Sequence, residues 1–526
     1  MALRLSVPAT TQPPPKDLEL NPKRARAWVE SLPLTKTLES GRAIANVLFA
    51  INRAKLSADE RFALVETYRP IVQVLLEELD AIYAFATLPL QQKPLEAFEL
   101  AQTLSIESAY SYKALVLEKS EKLIGFGNKK TLPIPIHRAL TNALALMLQS
   151  YNTYYPVPAG IWQEVSQLYL YADEQGFAKE IADEGNKSSI ADVYFEMLML
   201  SLADPYRLMH RETDRVLEIL RQNRGLIELR VSSEGFDPKR ALVIAFDADT
   251  APRPLIQGNK AVEGNALRLV DPTKLVERIQ QRLKAGLAEG SANAAKSRAI
   301  HDQNDLMGRL VRLWGDPPKR QFRRNPTETG VAVCAGVKAI GYFSELAASE
   351  TPEAALDAIR EGRTIPLLTI PQDPMSQMVG VEEWQVLNQS ANGLRLHRQR
   401  GGNVGVTVGE AVGVRFVGGP TWNVGIVRWL TLLEGNALEF GMELISPAGY
   451  NISMEATGGS STRAFPAILL ASSRPEVPLD TVLTAADTFA DLREFALNDQ
   501  GEVSTVRATT LIERTLKFDL FQFQPS

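Results

Sequence analysis

From about Leu20 to Leu220 apolar residues recur with the near-3.6 period of helices that bury one face. The clearest run starts at Ser57, where Ser57-Ala-Asp-Glu60 has the spacing of a capping box. The Ser57 hydroxyl can accept from the third helical N–H while Glu60 reaches back to the Ser57 amide. Phe62, Val65, Tyr68, Val72, Leu75, Leu76 and Leu79 then form the buried stripe, and Pro70 predicts a kink because it removes one N–H. Further helical patterns cover 93–124, 134–153, 158–177, 188–202 and 205–223, with no fixed-period repeat among them. The pattern changes at Leu226. IELRVSS and RALVIAFDAD, separated by EGFDPK, predict a β-hairpin. Asp271-Pro272 predicts a helix start, with Leu275, Val276, Ile279 and Leu283 on its apolar face, and another helix follows over 294–313.

Beyond Gly315 the period shortens to that of strands. GVAVCAGV, WQVL, GLRLH, VGVTVG, AVGVRFV, TWNVGIVRWL and LEFGMELI are short, Val-rich and separated by Gly or Asn, which predicts a small antiparallel barrel. An insert at 344–380 interrupts it, with a short helix TPEAALDAIREG bounded by Thr351-Pro352 and Gly362. AFPAILLAS, STVRATTLIER and LKFDLFQF are further strands that either complete the first barrel or form a second. The expected fold class is α+β and multidomain. It comprises a disordered tail (1–20), an all-α domain (21–225), a connecting region (226–314), a barrel (315–450) and a β-rich segment (451–526).

Composition narrows the function. A chain of 526 residues is too long for one core. Its net charge of −5 gives no electrostatic reason to expect duplex nucleic acid or a membrane surface as partner. No apolar run approaches a membrane span, and the amino terminus has no secretory apolar core. Cys334 is the sole cysteine, so no intramolecular disulfide can form, and a cytoplasmic location is expected. Within VAVCAGV it reads as a small buried thiol.

Signals for catalysis are sparse. His137, His210, His301 and His397 are scattered without metal-ligand spacing, and neither a phosphate-binding GxxxxGK[ST] loop nor a GxSxG elbow is present. LVIAFDADT ends a strand in Asp247 and Asp249 and resembles the haloacid-dehalogenase DxDx[TV] motif, but Thr250 falls one residue early. The competing reading is a charged strand end. No catalytic or metal-binding residue is therefore assigned.

Basic residues are more informative. Arg309, Arg312, Lys319, Arg320, Arg323 and Arg324 accompany a single acid, Asp316, a local net of +5 (six minus one) in an acidic chain. The prolines of PPKRQFRRNP place Arg320–Arg324 in a linker just before a strand. A guanidinium fork matches two phosphate oxygens and also the O6/N7 edge of guanine. About 60 residues later WQVLNQSANGLRL carries Asn388, Ser390 and Gly393: an amide that donates and accepts, a hydroxyl, and a site where a flat ligand can approach the backbone.

Arg320-Gln-Phe-Arg-Arg324 followed by Asn388-Gln-Ser390-Ala-Asn-Gly393 resembles the RxxxR and [D/N]xSxxG pair of PilZ domains, small β-barrels that bind cyclic di-GMP. TWNVGIVRWL and LEFGMELI look like the last strands of such a barrel, and the resemblance spans 315–447. It implies that Arg320 and Arg324 grip guanine edges and phosphates, that Asn388 and Ser390 contact the ligand from the barrel, and that Gly393 keeps the surface low. Arg323 and Arg395 are additional contacts under the same resemblance. The chain departs from the family pattern in a longer interval between the motifs, and Lys319 with Arg323 forms a competing register. The implied protein is a non-enzymatic receptor with cyclic di-GMP as ligand and no cofactor. It would pass the signal to a protein partner met through the helical domain. The alternative is a scaffold or adaptor with a degenerate barrel, acting through that same domain.

Overall fold

The computed structural model describes residues 3–10, 13–16, 18–121, 131–231, 241–255, 267–288, 294–316, 325–349, 379–399, 402, 404–419, 421–433, 437–458, 463–471 and 480–526. They fall into two compact units, residues 1–86 with 90–319, and residues 320–526 with 87–89.

In the first unit the periodic segments are helices: α1 (Pro22–Glu30), α2 (Thr37–Arg53), α3 (Ala58–Tyr83), α4 (Gln92–Glu121), α5 (Pro133–Asn152), α6 (Ile161–Glu174), α7 (Ile190–Leu202) and α8 (Glu212–Gln222). Both halves of the expected capping box open α3, with Ser57 N–H donating to Glu60 Oε2 at 3.0 Å and Glu60 N–H to Ser57 Oγ at 3.3 Å. Pro70 lies inside α3, which runs unbroken for 26 residues. Val65, Tyr68, Val72, Leu75 and Leu79 are buried as the stripe predicts. The pattern over 205–223 is divided, because a single 3₁₀ turn at Pro205–Arg207 precedes α8.

Two expectations in this unit meet a different structure. Within the amino-terminal segment expected to be disordered, Arg4 N–H donates to Gln167 Oε1 at 2.8 Å and Ser6 N–H to Glu164 Oε1 at 2.6 Å. IELRVSS and RALVIAFDAD do not form a hairpin. β1 (Ile181–Asp183) and β2 (Ser188–Ser189) pair with each other; then β3 (Glu228–Arg230), β4 (Leu242–Ala245), β5 (Arg253–Pro254) and β6 (Leu267–Asp271) form a sheet in the order β3-β6-β4-β5. The apolar, buried β4 demands partners on both edges, whereas β3 is half-exposed and suits the sheet margin. Asp271 caps α9 (Thr273–Ala288) as predicted, its Oδ1 accepting from the Thr273 amide at 3.0 Å, and α10 (Ala294–Gly315) follows.

The second unit contains two closed antiparallel barrels. The first is made by β7 (Asn325–Ala335), β8 (Glu382–Ser390), β9 (Gly393–Arg398), β10 (Ala411–Phe416), β11 (Asn423–Leu432) and β12 (Leu438–Ser446), closing in the order β7-β8-β9-β12-β11-β10. Trp384 and Phe440 meet edge to face in its interior, with ring centres 4.9 Å apart. VGVTVG is not a strand. Val404, Val406 and Val408 are buried, but six strands already close the ladder and leave no edge to pair with. The predicted helix at 351–362 lies outside the described residues.

The carboxy-terminal strands form a barrel of their own: β13 (Gly449–Ala456), β14 (Phe465–Leu470), β15 (Thr481–Ala485), β16 (Glu494–Asp499), β17 (Glu502–Arg514) and β18 (Phe518–Pro525). What joins the barrels is α11 (Val337–Ser349), launched where Gly336 turns the chain at φ +90. Ile340 and Phe343 of α11 pack with Cys334 and Trp422 of the first barrel segment and with Ile468 and Phe518 of the second, one continuous apolar core. Burial pushes the Cys334 thiol up, so it is an inert packing group.

Candidate ligand-binding face of the first barrel

Lys319, Arg320, Arg323 and Arg324 lie outside the described residues. The other half of the predicted pair is fully described. β8 and β9 are joined through Ala391-Asn392, with Ser390 opposite Gly393 and Asn388 opposite Arg395. A regular strand would send Asn388 and Ser390 to the same side as Trp384 and Val386, which are buried in the barrel. A β-bulge at Leu387 prevents this: Val386 pairs with Leu396, and the next partners are already Asn388 and Arg395. The extra residue reverses the alternation and turns Asn388 and Ser390 outward, onto the face of Gly393 and Arg395.

This face has a low floor. A Cβ at Gly393 would stand 2.8 Å from the Met442 carbonyl oxygen, so only glycine fits against β12. Ser390 Oγ donates to the Gly393 carbonyl at 3.3 Å, which fixes the turn. Next across the sheet, Arg395 is opposite Gly441, and Gly441 is opposite Trp429. A methyl group at 441 would overlap the Trp429 indole, whose ring centre lies 6.0 Å from the Arg395 guanidinium. Arg395 is held by the buried Glu439 carboxylate, its Nε donating to Oε2 at 3.1 Å, and His397 Nδ1 sits 3.4 Å from the other oxygen. Asn388, Arg395, Gly441 and Trp429 thus form one row across four strands. Such a row offers a hydrogen-bonding amide, a cation and an aromatic plane laid over Gly441.

Trp429 and Gly441 were not selected from sequence. The available cue was a glycine inside the strand LEFGMELI, the usual mark of a close approach. A second bulge, at Arg428, places this residue on the outer surface beside Trp429. Arg428 Nε donates to Glu443 at 2.7 Å, and its Nη1 and Nη2 donate to the two oxygens of Glu513 on β17 at 2.5 and 2.8 Å. Glu443 is itself directly opposite Gly393.

Elsewhere the candidate chemistry resolves into structure. Asp249 accepts from the amides of Gly160, Trp162 and Gln163 at 2.5, 3.0 and 3.3 Å, the cap of α6. That role gives Asp249 a structural task at the end of its strand, and no group of three or more potential metal ligands occurs among the described residues. His210 packs against Phe85 with the rings tilted by 50° and their centres 3.8 Å apart, and buried His137 shares a hydrogen bond of 2.9 Å with Ser188 Oγ. A cavity of about 690 Å³ in the helical unit is lined by Arg138, Asp183, Glu196 and Arg224, but these charges pair with one another.

Known proteins were compared with the whole chain. Residues 23–234 match the N-terminal domain of the cyclic-di-GMP receptor FimW, residues 241–358 and 371–450 its middle PilZ domain, and residues 451–526 its C-terminal β-barrel domain. The chain belongs to the FimW family of PilZ-domain proteins. The cyclic-di-GMP receptor FimW of Pseudomonas aeruginosa (strain PAO1) is 24% identical over 579 residues, covering 99% of this chain and 93% of the relative. The FimW match accounts for the helical unit, which sequence patterning left without a family. The family's middle domain begins at 241, so it takes in the β4–α10 segment that patterning treated as a connector.

Proposed function

We propose that this protein is a non-enzymatic cyclic di-GMP receptor that binds its ligand on the outer face of the first barrel. The observation that carries the reading is the Leu387 bulge, which turns Asn388 and Ser390 out beside the Gly393 floor. Cyclic di-GMP presents two guanine edges, two ring faces and two phosphates. Asn388 and Ser390 supply donors and acceptors for a polar edge, Arg395 a cation, and Gly393 the bare backbone over which a base can lie. Trp429 offers a stacking plane for a purine. Arg320 and Arg324, immediately before β7 in the sequence, supply the forks that match guanine O6/N7 and phosphate. No step requires a general acid, base or nucleophile. The occupied barrel then reports to a protein partner through the helical unit, in the cytoplasm.

Titration calorimetry with cyclic di-GMP tests the site. Arg324→Ala and Ser390→Ala each weaken binding, and added salt weakens it further because charge pairs contribute. Unchanged affinity in both variants sinks the assignment. If the wild-type protein shows no thermal shift at a large excess of ligand, the scaffold reading takes its place, since a ligand specific for the folded state must stabilise it.

A further inference from the structure

The binding face ends at the seam between the two barrels. At that seam stand three charges in line. Glu443 is opposite Gly393, Arg428 bridges from Glu443, and Glu513 of the carboxy-terminal barrel takes both terminal nitrogens of Arg428. Two bulges create the meeting. The first brings Arg428 to the outer surface of β11, and the second, at Ile512, interrupts the β17 ladder immediately before Glu513. Their relation is fixed by the apolar core that both barrels share through α11.

The three charges sum to −1 (two carboxylates, one guanidinium) beside a face that would receive a ligand with two phosphates. Arg428 is the natural cation for that ligand's edge, yet its planar fork is occupied bidentately from the far side. Bidentate carboxylate pairing is the strongest geometry a guanidinium has, so it resists transfer to a competing anion. We propose that Glu513 is a positioning residue that withholds Arg428 from the cyclic di-GMP face, so that the carboxy-terminal barrel sets the affinity of the neighbouring PilZ barrel. This rests on the proposed receptor function. It gives the second barrel a role that its apolar packing alone does not require.

Cyclic di-GMP titrations of the full chain decide the matter. E513Q keeps the shape of the side chain while removing its charge, and tightens binding about threefold or more, since Arg428 becomes free to turn toward the ligand. R428A, which leaves two unbalanced carboxylates, weakens binding. In the R428A background E513Q relieves only one unbalanced carboxylate and tightens binding less than it does with Arg428 present, because Glu513 acts chiefly through Arg428. A folding defect in E513Q cannot mimic this result, as it would lower the active fraction without raising affinity. Unchanged or weaker binding by E513Q overturns the inference, and so does equal tightening with and without Arg428, which would mean a simple field effect. Absence of binding by the wild-type chain overturns the receptor function itself, an outcome distinct from both.

Discussion

Trp429 faces Gly441 across β11 and β12, and its indole occupies the space that a side chain at 441 would fill. The pair makes a flat step next to Arg395. If a guanine stacks there, Trp429→Ala weakens cyclic di-GMP binding by about 1–3 kcal/mol, the range seen for aromatic–base stacking elsewhere. Gly441→Ala displaces the indole and weakens binding in the same direction. Calorimetric titration of both variants reads the effect; full affinity in both removes Trp429 from the site.

Gly393 and Ser390 separate floor from contact. Gly393→Ala drives a Cβ against the Met442 carbonyl, a backbone atom that cannot swing away, and lowers the stability of the barrel unit by about 1–3 kcal/mol. Ser390→Ala loses one hydrogen bond to a carbonyl at a partly exposed turn, with a stability change of about 1 kcal/mol or less. Urea denaturation of the two variants gives this ordering, and a more stable Gly393→Ala protein contradicts the packing.

Asp249 is predicted to matter for folding and not for ligand. Its carboxylate satisfies three amides at the start of α6, so Asp249→Ala costs the helical unit about 1–2 kcal/mol. Thermal unfolding should show the loss while cyclic di-GMP affinity stays at the wild-type value. A Mg²⁺-dependent phosphatase activity abolished by Asp247→Asn would instead revive the enzymatic reading.

His137 makes stability depend on pH. Burial, aided by neighbouring Arg138, lowers its pKa from 6.5 to about 4 in the folded protein. The unfolded chain therefore takes up the proton first as pH falls. The stabilisation is complete above pH 6.5 and declines as pH drops toward 4, by up to about 3 kcal/mol. His137→Gln removes this component, so the stability difference between wild type and variant narrows on acidification. A constant difference from pH 7 to 4.5 in urea titrations contradicts a buried neutral imidazole.

Local signals in the chain were enough for the helices. Ser57 and Glu60, or Asp271 before Thr273, act within one turn, so cap and helix are legible together. The Asn388–Gly393 stretch was legible as resembling half of the PilZ motif pair because spacing, residue type and a hairpin turn all sit within six residues. Where partners are distant in sequence, the reading was incomplete. β6 enters between β3 and β4, and the Val404–Val408 alternation makes no strand, since pairing depends on which edges remain free.

By itself, then, the sequence determined the α-then-β order of the chain, the helix boundaries near their caps and the turn between β8 and β9, all of which depend on near neighbours. Tertiary structure alone decided which way Asn388 and Ser390 point. A bulge is invisible within its own strand, for it exists only as one residue too many against a partner. The Leu387 bulge needs β9 to turn Asn388 and Ser390 outward, and the Arg428 bulge needs both β12 and a second barrel to bring its guanidinium to Glu513.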